Sequence, residues 1–175
     1  MAMTLDGSAG VTYPVVAGAS SAVQASSAKI IQVVNTQVST VATSAVNIPN
    51  DNTIPQITEG AEYMTLAITP SSATNTLLIN VVMQLSANSP ASRTMALFQD
   101  STANALAAIT SSTATNTPVV LTFTHKMTAG TTSSTTFRVR YGSDAGATVT
   151  VSGVAGVGSF GGVVPNSITI YEVAG

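Results

Sequence analysis

Leu77, Ile79, Val81, Met83 and Leu85 put a large apolar side chain at every second position of LLINVVMQL. A period of two belongs to a pleated strand that buries one face, whereas a helix would scatter those side chains around its circumference. The pattern recurs along the chain. In VVLTFTH, Val119, Leu121 and Phe123 alternate with Val120, Thr122 and Thr124, and in EYMTLAI, Met64, Leu66 and Ile68 share a side. FRVRY sets Phe137, Val139 and Tyr141 against Arg138 and Arg140. ATVTVSG contributes Val149 and Val151 to the apolar face, and SITIYEV contributes Ile168 and Ile170. KIIQVVNT, TMALFQ (Thr94–Gln99) and a strand near Ala105–Ile109 complete the set.

Between these runs stand NIPNDNTIPQ, TPSSATN, SANSPASR, SSTATNTP, TAGTTSS and GSDAG, clusters of turn-forming residues. Eight or nine strands with no helical stretch between them predict an all-β fold, an antiparallel β-sandwich or jelly roll. Composition agrees. Ser and Thr fill 48 of 175 positions while only 7% of residues are charged. Ser and Thr hydroxyls compete with helical backbone bonds, and β-branched Thr and Val suit a half-buried pleat. The expected organisation is an extended arm, residues 1–28, followed by a sandwich over 29–175.

Five cations and a formal net charge of −2 leave no basic footprint for nucleic acid. The absence of cysteine removes disulfides, thiol chemistry and zinc–thiolate sites together. The first cation is Lys29, so the start of the chain has no positive segment of the signal-peptide kind. The stretch from Gly7 to Ala28 is too rich in Gly, Ser and Ala to span a membrane, and no membrane insertion is expected.

The arm has too few apolar residues to build a core: Leu5, Val11, Tyr13, Val15, Val16 and Val23, spaced by glycines and Pro14. It either stays unordered, lies along a neighbouring surface as an added strand, or folds back on its own body. Leu5, Val11, Tyr13, Val15 and Val16 are the residues expected to attach it to a larger particle.

GVGSFGG matches the G-x-G-x-x-G spacing of a dinucleotide loop through Gly156, Gly158 and Gly161. That mechanism needs a helix starting at the glycines and an acidic residue about 20 positions later. Pro165 and the strand-like SITIYEV deny both, so a sheet connection is expected, with no cofactor. No charge falls between Ala145 and Tyr171, and Phe160 is the expected anchor of this loop against another chain, the alternative being a flexible hairpin.

A catalytic triad would have to use His125, the single histidine, and no G-x-S-x-G elbow accompanies it. The simpler reading is a sheet-edge histidine bonded to a loop or a neighbouring subunit. Glu59 and Glu62 form the nearest carboxylate pair, read as a solvated strand start rather than a glycosidase dyad. Asn50, Asp51 and Asn52 are read as a turn rather than a calcium site, since no EF-hand spacing follows. Arg138 and Arg140 are outward neighbours in a chain poor in charge; a subunit contact with carboxylate or carbonyl partners is expected there, the alternative being ordinary snorkelling side chains on a face free in solution.

LDGSAGVTYP resembles the D/N-G-T-x-G-[IV]-T-[YF]-P openings of bacteriophage tail-fibre and related virion proteins. KIIQVVNTQ, ITPSSATNTLLINVV and the terminal GGVVPNSITIYEV are similar to the β-rich distal domain of such fibres. The resemblance implies a non-enzymatic, trimeric jelly-roll knob on the surface of the virion, assembled in the bacterial cytoplasm. Its implied partners are two further copies of the chain, other virion proteins of the tail or the major capsid protein, and a host surface receptor. A capsid decoration or cement protein, or a head fibre, is the alternative within the same class; a hydrolase using His125 is the remote one.

Overall fold

The computed structural model describes residues 29–144 and 146–175, together with the backbone of Thr4–Asp6 and Gly10–Thr12. These two short segments, β1 (Thr4–Asp6) and β2 (Gly10–Thr12), pair antiparallel, with Leu5 opposite Val11. Tyr13, Val15 and Val16 lie outside the described residues. No helix among the described residues is long and apolar enough to cross a membrane.

The body consists of β3 (Ile30–Val38), β4 (Ala42–Ser44), β5 (Ala61–Ile68), β6 (Thr76–Ala87), β7 (Ala91–Gln99), β8 (Ala107–Thr113), β9 (Val119–Thr128), β10 (Thr135–Ser143), β11 (Val149–Val151), the small pair β12 (Gly153–Val154) and β13 (Val157–Gly158), and β14 (Asn166–Val173). They build two sheets. The first runs β3–β14–β6–β9, and β4 and β11 continue the β3 and β14 positions past the end of β14. The second runs β5–β10–β7–β8. Every pairing between named strands is antiparallel, and the chain repeatedly crosses from one sheet to the other. This is a jelly-roll sandwich, in which closing two sheets on each other buries one face of each.

The alternation read from the sequence fixes which face goes inside. Leu77, Ile79, Val81, Met83 and Leu85 are wholly buried, and so are Met95 and Leu97, Phe137 and Val139, Val149 and Val151, and Ile168 and Ile170. Each such side chain contributes about 1.5–3 kcal/mol on burial. Register shifts in two places, one of them at Ile31 in the β3–β14 pairing. The other, a bulge in the β5–β10 pairing, passes over Tyr63, so Tyr63 and Met64 both turn toward the interior. The Tyr63 ring then meets Tyr141 edge-on, with centroids 6.0 Å apart.

Two expected boundaries are corrected. The strand placed near Ala105–Ile109 runs over Ala107–Thr113, because the amides of Ala105 and Leu106 are taken by the carbonyls of Pro55 and Leu97. Ser111–Thr113, read as turn for their hydroxyls, pair instead with Ala91–Arg93. Likewise SANSPASR shrinks to a connection over Asn88–Pro90, its ends belonging to β6 and β7.

Candidate interaction site

The glycine-rich stretch leaves the first sheet at a specific interruption. Along one side of β6, β14 pairs as far as Val82 and β11 begins at Leu85. Gln84 lies in the gap, and the two ends of the intervening excursion are fastened to it: its amide donates to Oδ1 of Asn166 at 2.8 Å, and its carbonyl accepts from the Ser152 amide at 3.3 Å. Asn166 is fully buried, and its Nδ2 donates to Oγ of Ser152 at 2.6 Å and to the Val38 carbonyl at 3.0 Å. The Tyr63 hydroxyl lies 3.1 Å from the same Oγ and donates to the Thr40 carbonyl at 2.7 Å. Burial raises the Tyr63 pKa, and burial together with the nearby Tyr63 pushes Tyr141 up to about 12, so both phenols stay neutral at ordinary pH and Tyr63 keeps its proton to donate.

From this hub the chain projects outward. β12 and β13 form a hairpin whose two loop residues, Ala155 and Gly156, both have positive φ, 50° and 78°, as a type I′ turn requires. Gly153 cannot carry a side chain, since a Cβ there would sit 2.0 Å from the Val157 carbonyl oxygen. The glycines therefore serve a tight turn and a close backbone approach, and a single 3-10 turn, Phe160–Gly162, leads from them into β14 with no α-helix between. Phe160 follows, held at φ 51° and 79% exposed, with Val163 at 73%. Keeping three non-glycine residues, Ser152, Ala155 and Phe160, at positive φ costs of order 1 kcal/mol or more each. The hub's hydrogen bonds offset that strain.

Beneath Phe160 the loop and the outer face of the sheet enclose an apolar groove of about 320 Å³. Val82 of β6, Val120 of β9, Phe160, Val163 and Pro165 form its walls. Gln84 contributes the one polar side chain of the lining, and its Oε1 is shielded from solvent with no hydrogen-bond donor among the described residues. Of these wall residues only Phe160 stands out in the sequence; Val120 shows there only as an outward position of β9, and β14, β11 and the loop make that face a wall.

The other candidates are engaged elsewhere in the body. Arg138 and Arg140 do project from one face of β10, and the carboxylate and carbonyl partners they require come from within the chain. Arg138 Nη1 lies 3.1 Å from Glu62 Oε2 and its Nε donates to the Asp100 carbonyl; Arg140 donates to the carbonyls of Glu59 and Gly60 at 2.8 and 2.7 Å. Glu62 is thus drawn to arginine, while Oε2 of Glu59 accepts from the Gln56 amide. The two glutamates do not converge on a common point as a catalytic pair would. Oδ1 of Asp51 accepts from the amide and hydroxyl of Thr53, which lowers its pKa and makes NDNT the expected turn.

His125 lies on the inward row of β9, opposite Ile79, and burial lowers its pKa. Among the described residues no hydrogen bond joins it to a carboxylate, and no group of three His, Cys, Asp or Glu side chains is placed to hold a metal. Two buried ionised groups were not singled out from sequence. Arg93 is fully buried and donates to the carbonyls of Ala91, Thr113 and Ala114 at 2.9–3.0 Å, clamping the β7–β8 end of the sandwich. Glu172 is fully buried at the opposite end of the first sheet, where four donors converge on its carboxylate.

Neither a protein-family model nor a curated protein sequence matches the chain. Solved structures do resemble it. Eiger TNF from S. frugiperda is 10% identical with a TM-score of 0.47, over 81% of this chain and 93% of that one. A structure of infectious bursal disease virus, Gt strain, is 13% identical with a TM-score of 0.39, over 83% of this chain and 39% of that one. The enzymatically active domain of tailspike protein 4 from bacteriophage CBA120 is 17% identical with a TM-score of 0.25, over 83% of this chain and 19% of that one. At these values the likeness is one of general β architecture.

Proposed function

We propose that this chain is a non-enzymatic structural protein of a bacteriophage particle: a short trimeric knob of tail-fibre kind, attached through residues 1–28. The observation that carries the reading is where the segments that resemble phage fibres fall in the fold. ITPSSATNTLLINVV becomes the central strand β6 with the loop before it, and GGVVPNSITIYEV becomes β14 with the end of the projecting loop. The segments that carry the resemblance therefore build the sheet and its protruding apolar edge. The engaged state of the ionisable groups supports a binding role rather than a catalytic one. His125 faces the interior, Glu59 and Glu62 are separately bonded, and Glu172 and Arg93 hold the sandwich ends. A surface of hydroxyls and amides with little charge also suits a part whose contacts must persist across changes of salt and pH.

The test is to label the chain at its C-terminus and image purified particles. Label clustered at the tail is the expected outcome. Even coverage of the shell would make the chain a capsid decoration protein instead, and absence from particles would overturn the virion reading. Chains lacking residues 1–28 should fold and yet fail to join particles; normal incorporation of the truncated chain would remove the attachment role from Leu5, Val11, Tyr13, Val15 and Val16.

A further inference from the structure

The two outer faces of the sandwich are unequal. That of β5–β10–β7–β8 carries Arg138, Arg140 and Glu62, and part of it is covered by the chain itself, where Ile48 and Ile57 pack over Ala96 and Phe98. The outer face of β3–β14–β6–β9 is overhung, among the described residues, only at the end where the Phe160 loop stands over Val82 and Val120. Read across the strands, its rows are Val33–Tyr171–Leu78–Lys126, then Asn35–Thr169–Asn80–Thr124, then Gln37–Ser167–Val82–Thr122, with Gln84 and Val120 leading into the groove. Lys126 is the single charge in those rows. The middle row is a ladder of amides and hydroxyls bonded to each other: Asn35 donates to Thr169 at 2.8 Å and Asn80 to Thr124 at 3.1 Å. Val33 is 51% exposed at one end of the face, and at the other Val120 is 60% exposed with Phe160 and Val163 above it.

We infer that this face, from Val33 across to Val120 and the Phe160 loop, is where a second copy of the chain docks. The inference deepens the proposed function, since it rests on the self-association in that reading and names the surface responsible. Size is one argument. Four strands about 4.8 Å apart and some nine residues long at about 3.4 Å each make a plane of roughly 600 Å². With side-chain relief and the adjoining loop, that approaches the ~800 Å² per partner of a standard stable interface. Charge is the other. A face with one cation has little electrostatic means of selecting a foreign partner. Docking would bury the exposed valines and Phe160, and would bring hydroxyls and amides of the copy to the groove where Gln84 Oε1 lacks a donor.

The experiment measures mass in solution by sedimentation and light scattering, for the full chain and for Val120→Lys/Val163→Lys. Both side chains are exposed, so the double variant should keep the parent far-UV spectrum while its mass at micromolar concentration falls about threefold. Thr58→Lys, in the segment over the other sheet, should leave the mass unchanged. An oligomer unmoved by the double lysine change overturns the assignment of the face but leaves self-association standing. A parent chain that is monomeric at every concentration overturns self-association itself, and this assignment with it. Should the lysine variant fail to fold, Thr124→Cys gives the answer, because the parent has no cysteine: its thiol should be at least ~10-fold slower toward a maleimide in the oligomer than after dilution to monomer. Equal rates would place Thr124, and so this face, outside the contact.

Discussion

Glu172→Gln tests whether the carboxylate at the end of β14 stabilises the fold as a charge or merely as a shape. Oε1 accepts from the Ser71 amide and hydroxyl at 2.8 Å each and from Asn75 Nδ2 at 2.5 Å, and Oε2 accepts from Gln32 Nε2 at 2.6 Å. Burial raises the pKa, but these donors outweigh it and hold the carboxyl down to about 2 against an ordinary 4.5. A folded-state pKa below the unfolded one means stability that is fully present above about pH 4.5 and lost as pH falls toward 2. A difference of about 2.5 units at 1.36 kcal/mol each sets a ceiling on the order of 3 kcal/mol. Glutamine supplies one acceptor and one NH₂ group where four donors converge, much as the protonated acid supplies one acceptor and one O–H. The variant should therefore lose roughly 2–3 kcal/mol at pH 7 and differ little from the parent near pH 2. With a urea dependence of about 2 kcal/mol per molar, the midpoint at pH 7 falls by about 1–1.5 M. Urea titrations of both proteins at one concentration, from pH 7 to pH 2, provide the measurement, the fixed concentration removing any shift from association. Equal destabilisation at both ends of the pH range would refute the electrostatic account and leave packing as the cause.

Two further outcomes follow from buried polar groups. Asn166→Ala removes the partners of the Gln84 amide, the Val38 carbonyl and Ser152, and should cost on the order of 2–3 kcal/mol; hydrogen exchange at the Gln84 amide should accelerate by more than the global loss of stability explains, and exchange that tracks global unfolding alone would contradict the hub. Arg93→Met keeps the length of the side chain but strands the carbonyls of Ala91, Thr113 and Ala114, with an expected loss of at least about 2 kcal/mol by urea titration. A neutral result there would show that water replaces the guanidinium.

Alternation by itself settled the inward faces of the longest strands. The rows of β6, β9, β10, β11 and β14 lie where the period of two puts them, because a one-residue slip would turn every apolar side chain to solvent. Proline and the absence of a following helical stretch were enough to separate the glycine loop from a nucleotide site. The sequence could not show which strands are neighbours, since a face says nothing of the edge it abuts. That is why the hydroxyl-rich Ser111–Thr113 read as turn until β7 supplied its partner. The intrachain partners of Arg138 and Arg140 were hidden for the same reason: Glu59, Gly60, Glu62 and Asp100 lie some 40 to 80 positions away and meet them only when β5, β7 and β10 assemble. The groove belongs to the same class of fact. Val82, Val120 and Phe160 are unremarkable apart, and become one surface because β6 pairs with β9 on one side while β14 stops at Val82 on the other, obliging the chain between to leave the sheet above them.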